Sequence, residues 1–327
     1  MKQAAGIACC AVALALYSVT AFAADEAAQS YPSKPIRIIV MSGPASGPDI
    51  ISRLIGTKLT ETWGQQVIVD NRAGANGIIG AEIGARAAPD GYTLLMVTSQ
   101  AAIVDAMVEK LNYNLVKDFS PISLLGSTPF AMVVHPSVTA TSIPELIALA
   151  KAKPEALRYG STGAGSPSNL ATEMFKSMTG VNLFHVPYKA VAPALTDTMA
   201  GHVQLTMQVV PAVMPMVKAG KLRVLAVTSP KRTSLAPGLP TISEFVPGYE
   251  FMGWYGLVVP AKTSGAIVSK LNTELNGALK TSEFRERFAS IGAEPIGTTP
   301  QAFATHIRTE VEKMRKAVKA AGVRTDM

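Results

Sequence analysis

Three short glycine-rich turns hold most of the residues in this sequence whose types suit ligand chemistry. They read Ser42-Gly43-Pro44-Ala45-Ser46-Gly47-Pro48-Asp49, Gly74-Ala75-Asn76-Gly77 and Ser161-Thr162-Gly163-Ala164-Gly165-Ser166-Pro167-Ser168. The first and third run into helix-like patterns that open with proline, at Pro48 and Pro167. Proline suits a first helical position, where its missing N–H would have no partner anyway. A helix start leaves several main-chain N–H groups unpaired at the positive end of the helix dipole. Such a place suits an anion. Ser161, Thr162, Ser166 and Ser168 add more hydroxyl donors than a turn requires. Asp49 is read either as a cap on free amides or as a ligand contact.

Chemistry beyond binding finds little support. His135, His185, His202 and His306 are dispersed, and no H-E-x-x-H pairing occurs. The cysteines are Cys9 and Cys10, so neither a metal centre nor a cofactor is expected. No G-x-S-x-G elbow is present. The middle turn spaces Gly74, Gly77 and Gly80 as G-x-x-G-x-x-G. Gly163 and Gly165 begin a dinucleotide fingerprint, but Ser168 stands where its last glycine belongs, and no P-loop lysine follows. The chain reads as a binder and not an enzyme. An exported hydrolase is a competing reading, and it requires a Ser, a His and an acid brought together in space.

Alternating strands and helices must position these turns. Ile36–Val40, Gln66–Asp70 and Tyr92–Thr98 read as strands. Ile51, Ile55, Leu59 and Trp63 recur as one helix face. The middle of the chain repeats the theme. Phe130–Val134, Leu157–Gly160, Phe184–Tyr188, Val203–Met207 and Leu222–Val227 are strands; Ser142 caps one helix, and Leu170, Met174 and Met178 mark the face of another. Two late helices carry Ile267, Leu271, Leu275 and Leu279, then Phe303, Ile307, Val311, Met314 and Val318. Such alternation implies an α/β fold with mostly parallel sheets covered on both faces. Residues 122–134 and 251–259 read as two crossovers. They divide the chain into one lobe of 24–126 plus 251–327 and a second of 127–250. A double crossover hinge leaves a cleft at the C-terminal strand ends. Tyr188 and Lys189 follow a strand and face either that cleft or solvent. Trp254 and Tyr255 read as hinge packing or as pocket wall.

Composition sets the location. Lys2 precedes an apolar run from Ala4 to Phe22, and Ala21-Phe22-Ala23 is a cleavage pattern. Residues 1–23 therefore read as a signal peptide, cut near Ala23. Leucine is missing at the usual place before Cys9 and Cys10, which argues against a lipid anchor. An exported mature chain without cysteine must be held by its core. Net charge is +7, of which Lys2 leaves with the leader. Basic residues are scattered without runs or interleaved aromatics, so no nucleic acid is expected.

Further segments make the sequence identifiable by likeness. These include Val69-Asp70-Asn71-Arg72-Ala73-Gly74-Ala75, Ala87-Ala88-Pro89-Asp90-Gly91-Tyr92-Thr93, Lys117-Asp118-Phe119 and His185-Val186-Pro187-Tyr188-Lys189. Pro193-Ala194-Leu195-Thr196-Asp197, Ala219-Gly220-Lys221-Leu222-Arg223 and Gly253-Trp254-Tyr255-Gly256 extend the set. Their order and spacing resemble the tripartite tricarboxylate transporter substrate-binding family, also called the Bug family of extracytoplasmic solute receptors. The resemblance implies a two-lobe periplasmic binding protein fold, type II-like. It implies a periplasmic monomer that closes on a small organic acid and hands it to a membrane permease, or presents its closed form to a sensor kinase. Carboxylates would be held by amides, hydroxyls and water. Residues Pro44, Ala45, Ser46, Gly47 and Asp49 would line the pocket, with Ser99 and Gln100, Ser161, Thr162, Gly163, Gly165, Ser166 and Ser168, and Tyr188. The chain departs from the pattern at Asn169, where His is frequent, at Ala190, where Gly is, and at Gln204 and Gln208, where acids are usual. Gln208 is expected to face the cleft, so a plain organic acid fits better than an amino acid.

Overall fold

The fold is taken from a computed structural model that describes residues 29–154 and 156–322. The leader expected at 1–23, with Cys9 and Cys10, lies outside the described residues. Strand β1 (Ile36–Val40) leads through the first turn into α1 (Gly47–Trp63), and β2 (Val67–Asn71) follows. The middle turn forms one 3-10 turn (Ala75–Gly77) and continues into α2 (Ile78–Ala85). Next come β3 (Thr93–Thr98), α3 (Ser99–Met107) and the long β4 (Phe119–Val134). The central part holds α4 (Ile143–Ala152), β5 (Arg158–Ser161), α5 (Pro167–Thr179), β6 (Phe184–Pro187), α6 (Val191–Met199), β7 (Leu205–Val209), α7 (Val210–Lys218) and β8 (Arg223–Val227). The chain ends with β9 (Met252–Pro260), α8 (Gly265–Ala278), α9 (Ser282–Ser290), β10 (Glu294–Pro295) and α10 (Pro300–Ala321).

The strands run in the order β2-β1-β3-β9-β4-β7-β5-β6, with β8 and β10 also paired to β4. Pairing is parallel for β1 with β2 and β3, and for β5 with β6 and β7. Every antiparallel pair among the described residues includes β4 or β9. These are the two segments expected to be crossovers. Each is a single extended run that pairs with its neighbours directly, without a covering helix between them. Strand β4 slips register against β9 near Pro121 and Leu124. Proline has no N–H to give a ladder, which favours such irregularities.

Apolar packing divides along the same line. One buried cluster draws only on residues up to Leu125 and from Leu257 onward, including Ile38, Leu94, Leu271 and Phe288. Another uses only residues between Ala131 and Ala236, such as Val133, Leu195 and Val213. A more extensive cluster joins both parts, because α10 packs on α3 and on α5. Its Phe303, Ile307, Val311 and Met314 form the buried stripe that the late periodicity implies. The face expected on α5 needs correcting: Met178 is 43% exposed, and the buried face is Leu170, Ala171 and Phe175. Aromatic bulk at Phe175, packed edge-on to Tyr249, outcompetes the methionine for the interior.

Candidate functional site

The first and third turns follow the C-terminal ends of parallel strands, and they share one backbone design. Ser46 precedes α1 with φ −76° and ψ 159°. Ser166 precedes α5 with φ −77° and ψ 158°. Each hydroxyl donates back to a carbonyl, Ser46 to Gly43 O and Ser166 to Gly163 O, both at 2.7 Å. In each turn a side chain three residues into the helix accepts the amide just before the serine. Asp49 takes Ala45 N–H at 2.9 Å, and Asn169 takes Gly165 N–H at 3.0 Å. Both amide-bearing residues have positive φ, 61° at Ala45 and 71° at Gly165.

Most donors in the third turn are already engaged. Thr162 N–H donates to Ser168 Oγ, and Gly163 N–H to Ser161 Oγ. Ser166 N–H returns to Gly163 O. Among the described residues, the amides of Ser46, Gly47 and Ala164 meet no hydrogen-bond acceptor. With the helix-start amides of Asp49 and Ser168, likewise without an acceptor among the described residues, they are donors open to a ligand. A Cβ at Gly47 would sit 3.0 Å from the Tyr255 hydroxyl, so a larger residue there would press on the end of that side chain.

Ser99 and Gln100 open α3 beside the first turn, since Val40 and Met96 are register partners. Thr98 caps this helix by accepting Gln100 N–H at 3.3 Å. The Gln100 side chain crosses to the third turn and donates to Gly165 O at 3.1 Å. Ser99 is buried. Tyr188 lies past the end of β6, beside Gly160 and Gly163. Its hydroxyl is turned away from the turn and donates to Asp197 at 2.7 Å. Burial and that carboxylate push the phenol up to about 12. Gln208 is buried on β7 and reaches Thr206 Oγ1 at 3.4 Å. Of the two aromatic residues in the crossover, Trp254 is core and donates to Glu310, whereas Tyr255 faces the first turn.

Charge is handled differently beneath each turn. Asp49 is buried, yet Arg53 and Asn71 also donate to its carboxylate. Burial raises its pKa, but bonds from Arg53, the Ala45 amide and Asn71, with the Arg53 charge, outweigh this and hold it below the usual range. Beneath the third turn, Asn169 donates to the Tyr159 hydroxyl at 2.8 Å, and Tyr159 donates to Glu173. Lys176 closes that chain on Glu173 at 2.8 Å. His185 stacks on Tyr159 and lies 2.6 Å from Ser161 Oγ. This Ser–His contact lacks the third member a hydrolase needs. Glu173 is bonded to Tyr159 and Lys176, and among the described residues no carboxylate bonds His185. Ser161 is fully buried, and Ser166 meets no imidazole. No cluster of three His, Cys, Asp or Glu suited to a metal occurs among the described residues.

Tyr159, Glu173 and Arg53 were not picked out by motif reasoning; Asn71, His185 and Asn169 entered only through the family segments and departures, and Tyr255 as hinge packing or pocket wall. A signal was present for one: Asn169 follows Gly165 at the interval by which Asp49 follows Ala45. Elsewhere, a groove of about 400 Å³ lies between α5 and α10, lined by Met174, Met178 and Ala317, away from both turns.

Comparison with known proteins adds an independent line. The sequence matches the family described as tripartite tricarboxylate transporter family receptor over residues 51–323. It is 34% identical over 307 residues to Protein BugT of Bordetella pertussis, covering 92% of this chain and 94% of that one. A solved R. palustris structure with adipate is similar at a TM-score of 0.80 and 36% identity, covering 90% of this chain and 99% of the other. MatC from Rhodopseudomonas palustris, with bound malate, is similar at 0.76 and 27% identity, covering 88% and 100%. With the α/β periplasmic binding protein fold, this chain belongs to the tripartite tricarboxylate transporter receptor family, whose members bind solutes and are not enzymes.

Proposed function

We propose that this protein captures a small carboxylate-bearing solute in the periplasm and delivers it to the membrane component of a tripartite tricarboxylate-type transporter. The observation that carries this reading is the matched pair of turns with untaken amides at Ser46, Gly47 and Ala164. A hydrogen bond to a charged group contributes about 1.5–3 kcal/mol net. Three or four such bonds sum to about 4.5–12 kcal/mol before ordering costs, so micromolar affinity, about −8 kcal/mol, requires them near the upper end of that range. Asp49 does not oppose an anion, because Arg53 and Asn71 already hold its carboxylate. An uncharged Gln208 on β7 removes a further source of repulsion. Adipate and malate in the structures of relatives point to the same ligand class.

Binding proceeds by closure of two lobes, residues 24–126 with 251–327 and residues 127–250, about the crossover strands β4 and β9. Contacts made only when both turns meet the ligand favour the closed form. A thermal-shift screen over mono-, di- and tricarboxylates tests the function. Ligand at a hundred times its dissociation constant should add about 2.7 kcal/mol of stability. Small-angle scattering at saturation should show a smaller radius of gyration. A panel without any stabilising acid would overturn the proposal, and an unchanged scattering curve would remove lobe closure.

A further inference from the structure

We infer that His185 is a positioning residue for the third turn: it takes the Ser161 hydroxyl proton and so leaves Ser161 Oγ free to fix the Gly163 amide. The inference rests on the reading of that turn as a ligand contact. A serine hydroxyl has one proton to give. Ser161 Oγ has two acceptors in reach, His185 Nε2 at 2.6 Å and Gly163 O at 3.2 Å. Gly163 O already accepts from Ser166 Oγ at 2.7 Å and from Ser166 N–H at 3.2 Å. The shorter contact, with the less occupied acceptor, wins the proton. Oxygen lone pairs of Ser161 then receive Gly163 N–H at 3.1 Å.

The imidazole is itself held in place. It stacks on Tyr159 with ring centroids 4.8 Å apart and 19° between planes. Tyr159 is fixed by Asn169 and Glu173, and Glu173 by Lys176. The same Asn169 takes Gly165 N–H. One buried framework therefore pins Gly163 and Gly165, the two residues that flank the free Ala164 amide. Charges facing the ring come from α5, with Glu173 and Lys176 opposite in sign and bonded to each other. Burial dominates and keeps the imidazole pKa low, consistent with a neutral acceptor. The first turn has no such pair, because Met41 stands where Ser161 stands.

Two measurements test this. In nitrogen NMR of histidine-labelled protein at neutral pH, His185 Nε2 should carry no proton, and Ser161→Ala should shift that signal. Adipate titration of Ser161→Ala, His185→Phe and the double variant gives a cycle. Phenylalanine keeps the stack on Tyr159 and removes the acceptor. Each single change should weaken binding about tenfold, and the double change no further, because both break one chain of bonds. His185→Gln, which restores an acceptor near Nε2, should return affinity to within about threefold of wild type. Additive losses, no rescue by glutamine, or a protonated Nε2 would each overturn the inference. Should the wild-type protein bind no carboxylate, the proposed function falls and the imidazole signal alone decides this inference.

Discussion

The turns before α1 and α5 match in backbone at Ala45–Ser46 and Gly165–Ser166, and they reach that match by opposite electrostatic means. Under the first, the amide of Ala45 is accepted by a carboxylate, Asp49, whose partner Arg53 reaches solvent with 56% of its side chain exposed. Under the third, the amide of Gly165 is accepted by a neutral carboxamide, Asn169, which points into a buried cluster beside Glu173. A charge is tolerable where its counter-charge stays hydrated, and costly where it would join another carboxylate in the interior. Geometry repeated within the chain thus constrains shape and hydrogen-bond direction, while the surroundings choose the charge. The contrast also separates the donors: Pro44 stands where Ala164 stands, so the third turn offers an amide that the first lacks.

Exchanging the two acceptors breaks the comparison most severely. Asn169→Asp places a second carboxylate beside Glu173 and should destabilise the protein by about 2–4 kcal/mol at neutral pH. Chemical denaturation measures this; a loss no larger than that of Asp49→Asn would show that the surroundings do not matter. Next in size is Ala164→Pro, which copies Pro44 and removes the free amide. It should weaken binding of whichever acid the thermal-shift screen identifies about 10- to 100-fold with little change in melting temperature, since a hydrogen bond to a charged group is worth about 1.5–3 kcal/mol. Unaltered calorimetric affinity would take Ala164 out of the site.

Asp49→Asn should cost about 1 kcal/mol or less at neutral pH, as its Arg53 partner is largely exposed. Its stronger signature is in acid. Because the folded Asp49 pKa is lowered, the carboxylate stabilises the fold fully above its ordinary value of 3.8. That contribution is lost as pH falls through the lowered folded value. Asparagine does not titrate, so the variant should lose this part of the stability–pH curve, and an acid limb identical to wild type would contradict the assignment. Smallest is Ala45→Gly. Ala45 holds φ 61°, a left-handed conformation that glycine adopts without strain. Relief of strain outweighs the added chain entropy by about 0.5 kcal/mol, a gain in denaturation midpoint that sharpens the match with Gly165.

Much of the fold was legible because apolar spacing is a local property. Ile51, Ile55 and Leu59 are buried at their expected period, as are Leu271 and Leu275. Helices α2, α3, α6, α7 and α9 went unread. Proline inside α7 at Pro215 and two glycines in α2 blur the helical period. Proline at the start of α1 and α5 was readable from residue type alone, because it follows from the missing N–H. Serine caps were half readable. Ser142 and Ser166 accept helix amides, whereas Ser46 makes no such bond and holds Gly43 O instead.

Sequence by itself determined the two proline-led turns, the alternation of strands and helices, and the want of catalytic or metal-binding motifs, since each depends on neighbours along the chain. Tertiary structure decided which donors remain free. Asn169, His185 and Tyr159 lie on separate elements, and only folding brings them under one turn to take up its amides and hydroxyls. It also decided that Gln100 meets Gly165 and that Tyr188 turns to Asp197. Hydrogen bonds act over about 3 Å, so partners distant in sequence are set by packing and not by spacing along the chain.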